Sequence, residues 1–244
     1  MDTPKVINVQ QPEPRVTDFH TIQVHSIFHT IQGEGPFAGQ PALFLRLAGC
    51  NLQCPHCDTD YTSKKECCDV DELVSRIYFR MLDKNCKLLV ITGGEPFRQA
   101  KALEIFCRLL TEASEQLNAD IVIQIETNGS MPATRDLNDN VVIVCSPKTT
   151  KLHPSIVSRC NHYKYVLDCN DYNVTDGLPN KALGHTASPH VARPPETFNG
   201  VVYLQPMDAG DEIINANNQA KCVELCMKHN YRLQLQIHKI IGVD

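Results

Sequence analysis

The sequence has no apolar run approaching the roughly 18 residues that a bilayer-spanning helix needs. It has no block of clustered lysines and arginines, and its formal net charge is −5. That balance argues against a dedicated binder of nucleic acid or of an anionic membrane surface. The opening stretch MDTPKVINVQQPEPRVTDFH has three prolines and no apolar core segment, so it does not read as a secretory leader. Residues 1–20 are expected to form a flexible tail. No internal repeat and no break in composition divides the remaining residues, so 21–244 are expected to be one domain. Without a leader, the 12 cysteines are expected to stay reduced, in the cytoplasm.

With 42% hydrophobic and 21% charged residues over 244 positions, the chain can bury a proper core. Short β patterns and helical patterns alternate along it. QVHSIF from Gln23 and ALFLRLAG from Ala42 read as strands, with the turn-rich HTIQGEGPFAGQP between them. DVDELVSRIYFRMLDKN reads as a helix capped by Asp69. KLLVITGGEP is a strand, residues 100–117 a helix, and DIVIQIETNGS and NVVIVCSPK are further strands. A short helix near 155–159, the strand YKYVLD, the strand GVVYLQPMD, the helix EIINANNQAKCVELCMKHN and a last strand YRLQLQIHK complete the pattern. Residues 170–199 show little periodicity and read as a long mobile loop or insertion. Several strands are continuous apolar runs, as expected when a mostly parallel α/β sheet is covered on both faces. GCNLQC, TGGEP, ETNG, SPK and QPMD all come directly after strands. In a parallel barrel those ends share one mouth, where sites are built.

GCNLQCPHCDT places Cys50, Cys54 and Cys57 in a C-x3-C-x2-C pattern with no fourth cysteine in register. Three readings compete. Structural zinc needs four converging ligands, usually from paired knuckles; the chain has no second such knuckle, and His56 is adjacent to Cys57. A redox dithiol at Cys54-Pro-His-Cys57 has no use for Cys50. A four-iron cluster on three thiolates keeps one iron open for a small molecule, which accounts for the absent fourth cysteine. Cys86, Cys107, Cys145, Cys160, Cys169, Cys222 and Cys226 sit in apolar or helical stretches and read as buried small hydrophobes; Cys67 and Cys68 are assigned no role.

The cysteine spacing, with a GGEP strand end after it, resembles the radical S-adenosylmethionine (SAM) superfamily. TIQGEGPFAGQPALFLRLAGCNLQCPHCDT, TGGEP, ETNGS, SPK, QPMD and the late HK pair together resemble the 7-carboxy-7-deazaguanine synthases, from about residue 22 to the end apart from 170–199. The resemblance implies a partial TIM-like β/α barrel of the radical SAM type. It implies a [4Fe-4S] cluster on Cys50, Cys54 and Cys57, with SAM along His56, Cys57 and Asp58. Gly94, Glu95, Ser146, Pro147, Lys148, Gln205, Pro206, Met207 and Asp208 would also meet SAM. Asp208 doubles in this expectation as the cap of the helix after it.

The same resemblance implies Mg2+ on Thr59 and 6-carboxy-5,6,7,8-tetrahydropterin as substrate. Ile31, Gln32, Gly33, Glu34, Arg46, Thr92, His238 and Asp244 would contact it. Arg46 also stands out from the residues alone, because a lone arginine on the apolar strand LFLRLAG calls for a charged partner. The implied reaction is hydrogen removal from C6 by a 5′-deoxyadenosyl radical, then Mg-assisted ring contraction with loss of ammonia. An electron donor such as flavodoxin or ferredoxin and a homodimer are implied as partners. Two rivals remain at this stage: a glycyl-radical activase with the same cysteine spacing, and a zinc-binding scaffold without enzymatic activity.

Overall fold

Alternate residues along the central strands face opposite sides of the sheet, and this sets the architecture. In a computed structural model describing residues 8–117, 119–134, 136–138, 140–185 and 190–243, β2 (Pro41–Leu47), β4 (Leu88–Gly93), β5 (Val122–Thr127), β6 (Val141–Cys145), β7 (His162–Leu167), β8 (Val201–Pro206) and β9 (Arg232–Leu233) run parallel. Two antiparallel strands, β1 (Thr21–Ile31) and β3 (Glu66–Asp69), extend one edge. The order is β3-β1-β2-β4-β5-β6-β7-β8-β9, and the sheet does not close on itself. The fold is a partial TIM-like barrel.

One face of each strand builds the main core. Leu43, Leu45, Leu47, Leu89, Ile91, Ile123, Ile125, Ile143, Tyr163, Tyr165 and Leu204 pack there against the helices. Helix α1 (Val70–Asp83) contributes Leu73, Ile77 and Met81, and α2 (Ala100–Gln116) contributes Leu103, Phe106 and Leu110. Those spacings of three and four place each set on one helical stripe. Asp69 caps α1 as the sequence predicts, accepting from the amides of Asp71 and Glu72. Among the described residues the β5–β6 and β7–β8 crossovers carry no helix; α3 (Pro154–Arg159) lies between β6 and β7, and α4 (Glu212–His229) comes after β8. No described helix is long and apolar enough to cross a membrane.

Four expectations are revised. The last strand is only two residues long; it pairs through Tyr203↔Arg232 and Leu204↔Leu233 and then stops. The buried Gln234 side chain takes over by bonding Gly35 N and Gly33 O, which turns the chain into α5 (Ile237–Ile241). The cap of α4 is Asp211, which accepts from Ile213 N and Ile214 N; Asp208 instead bonds Gly210 N and the Asn215 side chain.

Residues 8–16 do not trail as a free tail. Their polar groups find partners along the cysteine loop, and Asn8 is buried. The described part of 170–199 has no helix or strand, yet it packs down through buried Leu178, Ala182 and Val191, a Tyr172↔Pro179 bridge and a 2.8 Å Arg193–Asp176 ion pair. Residues 1–7, 186–189 and Asp244 lie outside the described residues.

Candidate active site

The other face of the strands turns toward a cavity of about 790 Å³. Because β2, β4 and β5 pair in parallel register, Arg46 aligns with Thr92, and Ile91 with Ile125, so Thr92 and Glu126 stand side by side. Thr92 Oγ1 donates to Glu126 Oε2 at 2.9 Å. Gln124 Nε2 and Gln32 Nε2 donate to Oε1 at 3.0 and 3.3 Å. The Arg46 guanidinium lies 5.2 Å from the centre of the Phe28 ring, and Phe28 stacks on Phe44 at 5.1 Å. No carboxylate pairs with Arg46 among the described residues, and its buried Nε is without a hydrogen-bond partner.

Glu34 enters from the turn after β1 and pairs with Lys164 of β7, while Gln236 Nε2 donates to it at 3.0 Å. Burial alone would raise the Glu34 carboxyl, but the Lys164 ammonium and these bonds over-compensate and hold it at about 2. Burial would likewise depress Lys164, yet the Glu34 and Glu126 charges keep it above its ordinary value. The pair is therefore fully charged across the neutral range.

The cysteine loop forms the rim. Cys50 and Cys54 are only 8% and 7% exposed, Cys57 is more open, and all three line the cavity. Burial raises each thiol, Cys50 to about 12. A metal bound here must displace three protons. The donor set is three cysteine thiols on one rim, which suits a cluster that leaves one iron open to a small molecule.

The glycines at the end of β4 are required by the neighbouring chain. A Cβ on Gly93, at φ +125°, would strike the Leu47 backbone, and one on Gly94 would strike the Gly49 carbonyl. They let the β4 end press against the root of the cysteine loop, with Glu95 N donating to Gly49 O at 3.0 Å. Glu95 itself is turned away from the cavity. It accepts from Thr127 Oγ1, Phe97 N and Asn128 N at 2.8–3.0 Å, and burial raises it to about 6.

Helix α5 covers the other side of the mouth. The Lys239 ammonium bridges Asp208 at 2.9 Å and Asp58 at 3.2 Å. Gly33 seats this helix, since its carbonyl accepts from Ile237 N and a Cβ there would strike the His238 ring. On the 170–199 loop, Leu183 O accepts from His56 N at 3.0 Å and Leu183 lines the cavity.

Residues 45–144 match the family model described as the radical SAM superfamily. The chain is 36% identical to the 7-carboxy-7-deazaguanine synthase of Rhodospirillum rubrum, over 95% of this chain and 96% of that relative. It is 35% identical to the 7-carboxy-7-deazaguanine synthase of Rickettsia prowazekii, over 91% and 89%. The chain belongs to the 7-carboxy-7-deazaguanine synthase family. The fold also matches the crystal structure of QueE from Escherichia coli, with a TM-score of 0.64 at 24% identity, covering 88% of this chain and 93% of that one.

Of the candidates named from the sequence, Ile31, Gln32, Glu34, Arg46, Cys50, Cys54, His56, Cys57, Asp58, Thr59, Thr92, Gly94, Ser146, Lys148, Gln205, Met207, Asp208 and His238 line the cavity. Four predicted residues do not line it: Gly33, Glu95, Pro147 and Pro206. Gly33 and Glu95 brace the residues that do. The sequence pattern alone does not single out Lys164, Glu126, Lys239 and Phe28, all of which line the cavity. Lys164 and Glu126 are lone charges on buried strands, the same signal that marks Arg46.

Proposed function

We propose that this chain converts 6-carboxy-5,6,7,8-tetrahydropterin to 7-carboxy-7-deazaguanine. Substrate and product differ by one ammonia, so the conversion is a balanced elimination with ring contraction. The observation that carries the proposal is one cavity with three cysteine thiols on its rim and an Arg46–Thr92–Glu126 row on its wall.

A [4Fe-4S] cluster, with SAM, would supply the radical chemistry that removes hydrogen from C6 of the substrate. The chain supplies binding, orientation and shielding. Cys50, Cys54 and Cys57 would hold the cluster. His56, Asp58, Gly94, Ser146, Lys148, Gln205, Met207 and Asp208 offer hydroxyl, ammonium, amide and carboxylate groups for a zwitterionic amino acid and a ribose. Lys148 is half-buried, donates to Ser146 Oγ at 2.5 Å, and has its ammonium lowered by desolvation.

Arg46 meets the substrate carboxylate, because its fork suits that group and its buried Nε has no partner. Glu126 accepts from the amino and ring N–H groups along the pterin edge, with Gln32 and Thr92 fixing its rotamer. The stacked Phe28 and Phe44 rings wall the flat bicycle. Thr59, on the cavity rim, would supply a hard hydroxyl oxygen to Mg2+. Lys239 holds α5 across the mouth and limits water entry.

Anaerobic reconstitution with iron and sulfide tests the cluster assignment. Roughly four irons per chain are expected; one tightly held zinc and no iron contradicts it.

A further inference from the structure

The carbonyls of the cysteine loop point at the segment before β1. Glu13 N donates to Cys50 O at 2.6 Å, and Asn8 N donates to Pro55 O at 3.2 Å. Asn8 Nδ2 donates to Cys54 O at 2.9 Å, and Gln10 Nε2 to Thr59 O at 2.9 Å. Gln10 Oε1 accepts from Tyr61 N at 2.8 Å and from Thr62 Oγ1 at 3.0 Å. Gln10 Nε2 also lies 3.2 Å from Asn8 Oδ1, and Gln10 N donates to that oxygen at 3.0 Å, so the two side chains fix each other.

The segment is itself anchored. Asn8 is 4% exposed. Val16 N donates to Arg98 O, and the buried Arg98 guanidinium donates to Pro14 O at 2.8 Å. Glu13 pairs with Lys65 at 2.7 Å and Arg98 at 3.4 Å.

A loop without helix or strand leaves its backbone groups unpaired, and buried carbonyls need donors. Here residues 8–13 supply donors to the carbonyls of two of the three cysteines and of Pro55 and Thr59. On the far side, Asn51 is held by Asn128 and Ser130. On the sulfur side, Leu52 N faces Cys50 Sγ at 3.5 Å. Tyr61, 1% exposed, stands behind the loop and donates to Leu52 O at 3.2 Å.

We propose that residues 8–16 are a strap that fixes the geometry of the cysteine loop, with Asn8 and Gln10 as its positioning residues. The strap acts on how firmly the three thiolates hold their cluster. This rests on the assignment of Cys50, Cys54 and Cys57 as cluster ligands. In sequence the segment resembles a loose tail, because its prolines and polar residues give no periodicity.

The test compares wild type with Asn8→Ala, Gln10→Ala and their double variant, each reconstituted anaerobically with iron and sulfide. Three readouts apply: iron per chain, the electron paramagnetic resonance spectrum of the reduced cluster, and the rate of iron loss to a chelator. The double variant is expected to load iron but to lose it about tenfold faster, because it removes the donors to Cys54 O and Thr59 O and the acceptor for Tyr61 N and Thr62 Oγ1, and to broaden the spectrum. Gln10→Glu keeps the acceptor for Tyr61 and Thr62 but loses the donor to Thr59, so its rate is expected to be intermediate. If the double variant does not fold, the single variants carry the same criterion. A wild-type chain that loads no iron overturns the ligand assignment. A wild-type chain that loads iron, with variants that lose it at the same rate, overturns the strap alone.

Discussion

The Lys239 ammonium lies 3.2 Å from the Asp58 carboxylate, tying the last helix of the chain to the loop that carries the three cysteines. The same ammonium reaches Asp208 at 2.9 Å. All three side chains are partly exposed, so the ties add little to global stability. Their effect is local closure over the cavity. Lys239→Ala is expected to leave the unfolding midpoint within about 2 °C of wild type and to raise KM for the pterin about fivefold. Thermal melts and steady-state kinetics check both. A large fall in melting temperature with unchanged KM would assign Lys239 to stability instead.

The pH behaviour of this latch is set by Asp208. The Lys239 hydrogen bond leads the causes that hold its carboxyl at about 2, below its ordinary 3.8. Its contribution is therefore complete above 3.8 and lost as pH falls through about 2. The ratio of variant to wild-type KM is expected to be flat between about pH 6 and about pH 9. A ratio that collapses toward one inside that window contradicts the latch.

Glu34→Gln strands the Lys164 ammonium in a buried place. Breaking a buried pair from one side costs about 3 kcal/mol, to be read by urea unfolding at neutral pH. Adding Lys164→Met should recover most of that loss without restoring pterin binding. Glu34 is held at about 2 against an ordinary 4.5, so the stabilisation is present above 4.5 and lost as pH falls through about 2. Wild-type and variant unfolding free energies should converge as the pH approaches that value.

Glu126→Gln preserves shape and removes the carboxylate. It is expected to lower kcat/KM about 100-fold, because a site built to accept from N–H groups depends on that charge. Iron content and the cluster spectrum should not change. Arg46→Lys is expected to cost a similar factor, since a lysine cannot reproduce the fork over Phe28.

Thr59→Ala is expected to abolish the response of turnover to added Mg2+ while leaving the cluster intact, as read by titrating Mg2+ at fixed SAM and pterin. An unchanged Mg2+ response removes the role given to Thr59.

Much of the fold is legible in the sequence because its strands and helices differ in period. Asp69 announces α1 by its side chain, and the TGGEP, ETNG and SPK turns mark the strand ends that surround the cavity. The wall of the cavity is less legible. Thr92, Glu126, Ser146, Lys164 and Gln205 occupy alternate strand positions within or at the end of runs that look uniformly apolar. Arg46 stands out as a charge out of place; the same argument applied to Lys164 and Glu126 finds both.

The end of the chain and the strap are hidden for another reason. Gln234 turns the backbone through its side chain, and Asn8 and Gln10 act on a loop some 40 to 50 residues away. Neither leaves a periodic trace. Glu95 shows the opposite failure, since it sits inside a family motif yet spends its carboxylate on Thr127, Phe97 and Asn128.

The central claim is that this cavity performs the ring contraction. The most direct measurement incubates the reconstituted, reduced chain with SAM, Mg2+ and 6-carboxy-5,6,7,8-tetrahydropterin without oxygen, and tracks the products by mass spectrometry. The account predicts 7-carboxy-7-deazaguanine and ammonia in equal amounts, with SAM recovered after many turnovers. Cleavage of SAM to 5′-deoxyadenosine with the pterin left intact would contradict it.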